Sequence, residues 1–277
     1  MPPRCYGRRH WRTSRRGLYP AGPIPGGGIV SGDADIARAW LTAPTDRYPH
    51  GAFGDEFEAG ALVAEDRDGA RYIFRLDDAS VFEDLTPRLA DLDGDGYDEI
   101  WTMRSDFSEG ARFKAYGVQD GALALRFATA PIGTGFRWLN PAGEAGFDGD
   151  GRREAAYVQT PHISAILTIV RAEERRLVPV ARRPGYCNHA MGSTSLTLAA
   201  VAELNAETVN GADLILPLQN RRQFAVVSLT GGKLVQRWRS KPLPNITGGV
   251  RIAFNNGKSI LHFDTASGPM RLQLPTL

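Results

Sequence analysis

The sequence predicts an all-β protein, a five-bladed β-propeller of four-stranded blades, on three observations. Apolar stretches are short and interrupted by Asp-Gly, Asn-Gly and Gly-Gly steps, the texture of strands joined by tight turns. The chain resembles itself at a period of about 50 residues, which marks a solenoid or a propeller. Each repeat divides into four segments of under ten residues, rich in β-branched and aromatic side chains, so helical repeats are excluded and propeller blades fit. At 277 residues the chain can bury a core unaided, and 42% apolar with 23% charged residues excludes collagen-like, disordered and coiled-coil classes.

In chain order, residues 1–33 read as a disordered leader, basic at first and then rich in Gly and Pro, and 34–277 as the propeller. GAFGDEFEAGALVAEDRDGARYIFRLDD (51–78) is a first, degenerate blade. RLADLDGDGYDEIWTMRSD (88–106) with ARFKAYGVQDGALALRFATAP (111–131) is the clearest copy. PAGEAGFDGDGRREAAYVQTP (141–161) with SAILTIVRAEERRLVPVARRP (164–184) follows, its acidic loop at Gly146 lying 55 residues after Asp91. The next copy, 198–242, begins a degraded loop at Glu203, Asn205 and Glu207. Hairpins turn at Gln119-Asp120-Gly121, Glu173-Glu174 and Gly231-Gly232. Residues 250–277 supply only three strands, so 35–44 is expected to complete the last blade and close the ring, which would remove exposed sheet edges.

Six of the 33 basic residues, Arg4, Arg8, Arg9, Arg12, Arg15 and Arg16, lie in 1–16 without an acid. The remainder carries 27 basic against 31 acidic residues, a balance that argues against nucleic acid as the main partner. No apolar run of about 18 residues is present to span a membrane. GLYPAGPIPGGGIV after the basic start is too broken to be a signal-peptide core, and Ser14-Arg15-Arg16 gives only a faint twin-arginine signature. Two cysteines, Cys5 and Cys187, cannot form a disulfide framework, and a monomer is expected.

The strongest chemical signal is the loop with Asp91, Asp93, Asp95 and Glu99, to which the Tyr97 carbonyl adds a fifth donor. Carboxylates at alternate positions point to one side while glycines allow the tight curl, which suits calcium, a hard ion that takes six to eight oxygens. An EF-hand would need Glu at its twelfth position, where Thr102 stands, and helical flanks. A weaker copy has Asp148, Asp150 and Glu154 with the Arg152 carbonyl, Gly146 replacing the first Asp. ADLDGDGYDEI and GFDGDGRREAAYV resemble the FG-GAP or VCBS repeats of integrin-α-like β-propellers, and the chain is similar to bacterial VCBS-repeat proteins. The resemblance implies the propeller fold and Ca2+ in the loop between the first two strands of a blade; it implies no reaction. Because cytosolic calcium is scarce, it also points to a periplasmic or secreted protein.

Strand counting places the loops between second and third strands, and those between blades, on the face opposite the calcium loops. That face collects Arg47, His50, Arg137, Trp138, Asn140, His162, Asn188 and His189 as ligand candidates, with Asp46, Tyr48, Glu83, Asp84, Arg88, 104–109, Tyr186 and Ser193 around them. The leading expectation is a calcium-stabilised module binding a glycan, protein or small molecule there. The alternative is a hydrolase or lyase using His and acidic groups at the mouth, since histidine titrates near neutral pH. His50, His162 and His189 are also possible zinc ligands, though without a spacing motif. No GxSxG, P-loop or strand-borne GxGxxG is present.

Overall fold

A computed structural model describes residues 22–196, 198–204 and 211–277. Every element is a strand: β1 (Ile29–Ser31), β2 (Ile36–Thr45), β3 (Glu58–Asp66), β4 (Arg71–Arg75), β5 (Ser80–Phe82), β6 (Arg88–Ala90), β7 (Glu99–Asp106), β8 (Gly110–Gln119), β9 (Ala122–Ala128), β10 (Leu139–Ala145), β11 (Glu154–Gln159), β12 (Ile166–Glu173), β13 (Arg176–Pro184), β14 (Ala200–Ala202), β15 (Asp213–Pro217), β16 (Phe224–Thr230), β17 (Lys233–Arg239), β18 (Ile246–Asn255), β19 (Lys258–Thr265) and β20 (Gly268–Gln273). Among the described residues no helix is long and apolar enough to cross a membrane.

The strands pair into one 13-stranded mixed sheet, one four-stranded sheet (β14 to β17 in order) and one three-stranded sheet (β18 to β20 in order). This overturns the expected ring of five separate four-stranded blades. The large sheet runs β1-β2-β3-β5-β7-β8-β9-β13-β12-β11-β10, with β4 beside β3 and β6 beside β7. Its antiparallel groups are joined by the pairs Ala59 with Phe82 and Ala128 with Arg176, the latter parallel. Closure by 35–44 is overturned too: that segment is β2, which pairs with β1 and, from Ile36 to Thr45, with β3. A short loop brings β2 and β3 together at small entropic cost, whereas reaching β20 would close more than 200 residues.

Each buried cluster draws on two successive units. Leu41, Leu62, Phe82, Ile100 and Tyr116 share one; Trp101, Phe113, Tyr157 and Val170 the next; Ile169, Leu214 and Val227 a third; Ile215, Phe224, Leu261 and Phe263 the last. No cluster or strand pair among the described residues joins β18–β20 to β1–β4. Within the stretch expected as a leader, 1–33, Ile24 is 2% exposed in the first core and β1 pairs with β2, while residues 1–21 lie outside the described residues.

The acidic loops recur in one construction. Ala90 pairs with Glu99, Ala145 with Glu154 and Ala202 with Asp213, each pair closing a loop. In each, the strand-end carboxylate accepts a backbone N–H from inside the loop: Leu92 to Glu99, Phe147 to Glu154 and Leu204 to Asp213. β10 and β11 run from the second such loop to the chain segments 136–138 and 160–163 at their other end. The steps between the six residues of β11, at about 3.3 Å each, separate the two ends by about 17 Å.

Candidate functional site

At that other end lies a cavity of about 200 Å³ lined by His50, Ala52, Phe136, Arg137, Trp138, Thr160, Pro161, His162, Ile163 and Met191. The chain folds tightly here because Gly110 and Gly135 lack side chains: a Cβ would sit 2.1 Å from the Thr134 carbonyl oxygen and 2.0 Å from that of Phe107, respectively. Tyr48 stacks on Phe136 with ring centroids 4.8 Å apart, and its hydroxyl accepts the Phe136 N–H. Arg137 is exposed, and its guanidinium bonds only the carbonyl of Phe136 among the described residues.

His50 is held from behind. Its Nδ1 bonds the fully buried Glu83 carboxylate, whose other oxygen accepts the Ser105 hydroxyl. Burial raises the Glu83 carboxyl; the hydrogen bond and charge of His50 oppose that rise. Trp138, 2% exposed, donates its indole N–H to the Glu83 carbonyl at 3.1 Å.

His189 is fully buried behind the cavity, and its Nε2 lies 2.7 Å from the Ser193 carbonyl oxygen. A carbonyl only accepts, so Nε2 carries the proton and Nδ1 accepts one from His162 Nε2, at 3.1 Å. Burial pushes His189 down to about 4 and lowers His162, so the pair is neutral near pH 7. That hydrogen bond accounts for the close nitrogens without a metal ion.

The structure thus brings His50, Arg137, Trp138 and His162 around one cavity, with His189 against His162. It does not bring Arg47, Asn140 or Asn188 there. Arg47 is spent on the Ser80 carbonyl and Asp78. Asn140 and Asn188 are fully buried and bond each other's backbone, Asn188 also donating to the Pro141 carbonyl.

The acidic loops lie at the far ends of the strands. Asp91, Asp93 and Glu99 offer oxygens within 4.8 Å of one another, as do Asp148, Asp150 and Glu154. Both Asp91 oxygens accept loop N–H groups, from Gly94, Asp95 and Gly96. Arg126 lies across side-chain-free Gly117 and reaches the first loop, 3.0 Å from Asp93, 2.9 Å from Asp95 and 3.9 Å from Glu99. One guanidinium reaches three of the loop's four carboxylates, and buried Glu99 Oε1 has no hydrogen-bond partner. This hard oxygen set fits a divalent cation. In the second loop, Arg171 stands opposite Glu154 on β12 and engages all three acids, 2.6 Å from Asp148, 3.2 Å from Asp150 and in contact with Glu154. Its charge is answered from within, and the Arg152 side chain is turned to the Ala172 carbonyl. At the third loop, Asn205 and Glu207 lie outside the described residues.

Sequence reasoning named Asp46 and Tyr48 but missed the acids of a second cavity, of about 270 Å³, lined by Asp46, Tyr48, Pro49, Gly51, Asp55, Glu56 and Glu58. Its signal was the acid-rich run Gly54–Glu58, read only as part of a degenerate blade. Glu58 starts β3 and is 4% exposed. Burial, and then the charges of Glu83, Asp55 and Asp84, push its carboxyl up to about 10.

No family model and no curated protein matches the sequence. Among solved structures, the chain is similar to the rhamnogalacturonan lyase YesW (14% identity, TM-score 0.45, 77% of this chain and 44% of that one). It is also similar to a rhamnogalacturonan lyase of Bacillus licheniformis (16%, 0.43, 72% and 41%). A third is a putative 6-phosphogluconolactonase from Bacteroides fragilis (12%, 0.40, 79% and 66%). The chain spans less than half the length of either lyase. Likenesses this slight carry no argument about function.

Proposed function

We propose that this protein is a binding module whose ligand, a glycan or a similar small polyhydroxylated molecule, sits in the His50–Arg137–His162 cavity. The observation that supports it most is the exposed Arg137 guanidinium, without an acidic partner among the described residues, beside two imidazoles and the rings of Phe136 and Trp138. Such a mixture gives a polar ligand directional hydrogen bonds and a face to pack on. A volume of about 200 Å³ suits one ring or residue of a ligand rather than a drug-sized molecule. Calcium in the Asp91 loop has the role of cross-linking the chain about one strand length away, and such a site goes with a periplasmic or secreted home. Glycan-array screening followed by calorimetry tests this reading. Arg137→Ala and His162→Ala should each weaken the selected ligand by about tenfold or more with the melting temperature little changed. Undiminished binding in both variants contradicts it.

One observation favours a second reading, a hydrolase or lyase. His50 backed by buried Glu83, itself bonded to Ser105, is a proton-transfer arrangement facing the same cavity. In that case the wild type converts the bound ligand, and His50→Gln retains binding while losing turnover.

A further inference from the structure

We infer that the cavity beneath the loop between β2 and β3 is a binding site for a small primary ammonium group, held by the carboxylates of Glu58 and Asp55. The site is separate from the histidine cavity, although the same loop lines both: His50 and Ala52 face one, Tyr48, Pro49, Gly51 and Asp55 the other.

Among the described residues most buried acids of this chain are paired with a base, and Asp213, which is not, accepts from the Ser228 hydroxyl and the Leu204 N–H. Glu65 is paired with Arg38 and Arg71, Asp84 with Arg88, Glu154 with Arg171, and Glu83 with His50. Glu58 and Asp55 have no such partner: Glu58 Oε2 and Asp55 Oδ2 are buried oxygens without a hydrogen bond, and no described basic side chain pairs with either residue. A buried acceptor left unpaired is costly, and burial holds Glu58 as the neutral acid until a cation displaces its proton. Both residues line an open cavity with Asp46 and Glu56 at its exposed rim, so a group entering from solvent can supply the missing donors and charge.

The chemistry of that group follows from the oxygens. Ligand atoms on one calcium ion at about 2.4 Å cannot lie more than about 4.8 Å apart. Three-carboxylate sets meeting that limit among the described residues are those of the Asp91 and Asp148 loops, and this cavity's acids are not among them. Calcium needs six to eight oxygens, whereas a primary ammonium carries three N–H donors on a compact charge and is satisfied by the few acceptors this cavity offers. A quaternary ammonium has the charge but no donor. The Tyr48 ring on the cavity wall gives an alkyl stem a surface to lie on.

The probes are ethylammonium, tetramethylammonium and calcium chlorides, titrated into the full chain by calorimetry at pH 7 and constant ionic strength, with amide NMR shifts locating the site. Ethylammonium should bind saturably, with shifts at 46–58, and tetramethylammonium should bind at least about tenfold more weakly. Calcium should move the Asp91 loop instead. Glu58→Gln keeps the shape of the side chain and should abolish ethylammonium binding. Asp55→Asn, at a half-buried position, keeps the shape of the side chain and should weaken it by about tenfold even if Glu58→Gln fails to fold. Two ionisation buffers add a readout: displacement of the raised Glu58 proton, in the field of Glu83, Asp84, Asp55, His50 and Arg88, makes the heat depend on the buffer. No saturable ethylammonium binding, equal affinity for tetramethylammonium, calcium shifts centred on 46–58, or binding unaltered by Asp55→Asn would each overturn the inference.

Discussion

Asn188→Ala tests whether the asparagine pair is part of the scaffold rather than of the ligand surface. The Asn188 side chain donates to the Asn140 carbonyl at 3.2 Å and to the Pro141 carbonyl at 2.7 Å, in a fully buried position. Losing two such bonds removes about 2 kcal/mol net, and a buried carbonyl left without a donor adds about 1–3 kcal/mol. Relief of Asn188 Oδ1, which has no partner, offsets part of this, leaving about 2–4 kcal/mol. For a chain of this size each kcal/mol lowers Tm by about 2–4 °C, so calorimetry should show a fall of about 4–16 °C. Asn188→Asp, which cannot donate when ionised, should be at least as damaging. Arg137→Ala, on the exposed rim, should change stability by no more than about 0.5 kcal/mol. A Tm within about 2 °C of wild type for Asn188→Ala would refute the reasoning and return Asn188 to the ligand candidates.

Excess calcium should raise Tm and chelation lower it, by mass action on the folded state; at one hundred times Kd the gain is about 2.7 kcal/mol. Asp93→Ala should remove most of that dependence and Asp148→Ala less, and equal Tm with calcium and with chelator would contradict the metal assignment. The His189 imidazole stays neutral in the folded protein down to about pH 4 because it is buried, whereas an unfolded histidine takes up a proton below about 6.5. Stability therefore falls as pH drops from about 6.5 toward 4, and urea titrations should show a shallower fall in His189→Gln. Burial also raises the Cys187 thiol, so it should react with a thiol reagent only on unfolding. Removing residues 22–31 along with 1–21 should lower Tm relative to removing 1–21 alone, because Ile24 and β1 go with them.

Hairpin turns and the first acidic loop were legible because their signals are local. Asp120 and Gly121, with φ of 49° and 74°, turn β8 into β9 where the sequence has its Gln-Asp-Gly step, and the alternating acids of 91–99 form a closed loop between paired strand ends. Strand partnership across units was not legible. Ile36–Thr45 alternates well enough to pair with any edge, and only the proximity of β3 decides the matter. At the site, residue type singled out His50, Arg137 and His162, but the same reasoning included Asn140, Asn188 and Arg47, whose hydrogen bonds run into the scaffold. Nothing in a single sequence says whether a polar side chain faces a neighbour's carbonyl or solvent. Glu58 was missed for the converse reason: it begins an apolar strand, and its unpaired buried oxygen is visible only in three dimensions.

The most direct test of the binding site is calorimetric titration of the strongest array-selected glycan into wild type, Arg137→Ala and Glu58→Gln at saturating calcium. A ligand seated among His50, Arg137 and His162 should weaken about tenfold or more in Arg137→Ala and bind Glu58→Gln as it binds wild type. Equal affinity for wild type and Arg137→Ala would place the ligand elsewhere on the molecule.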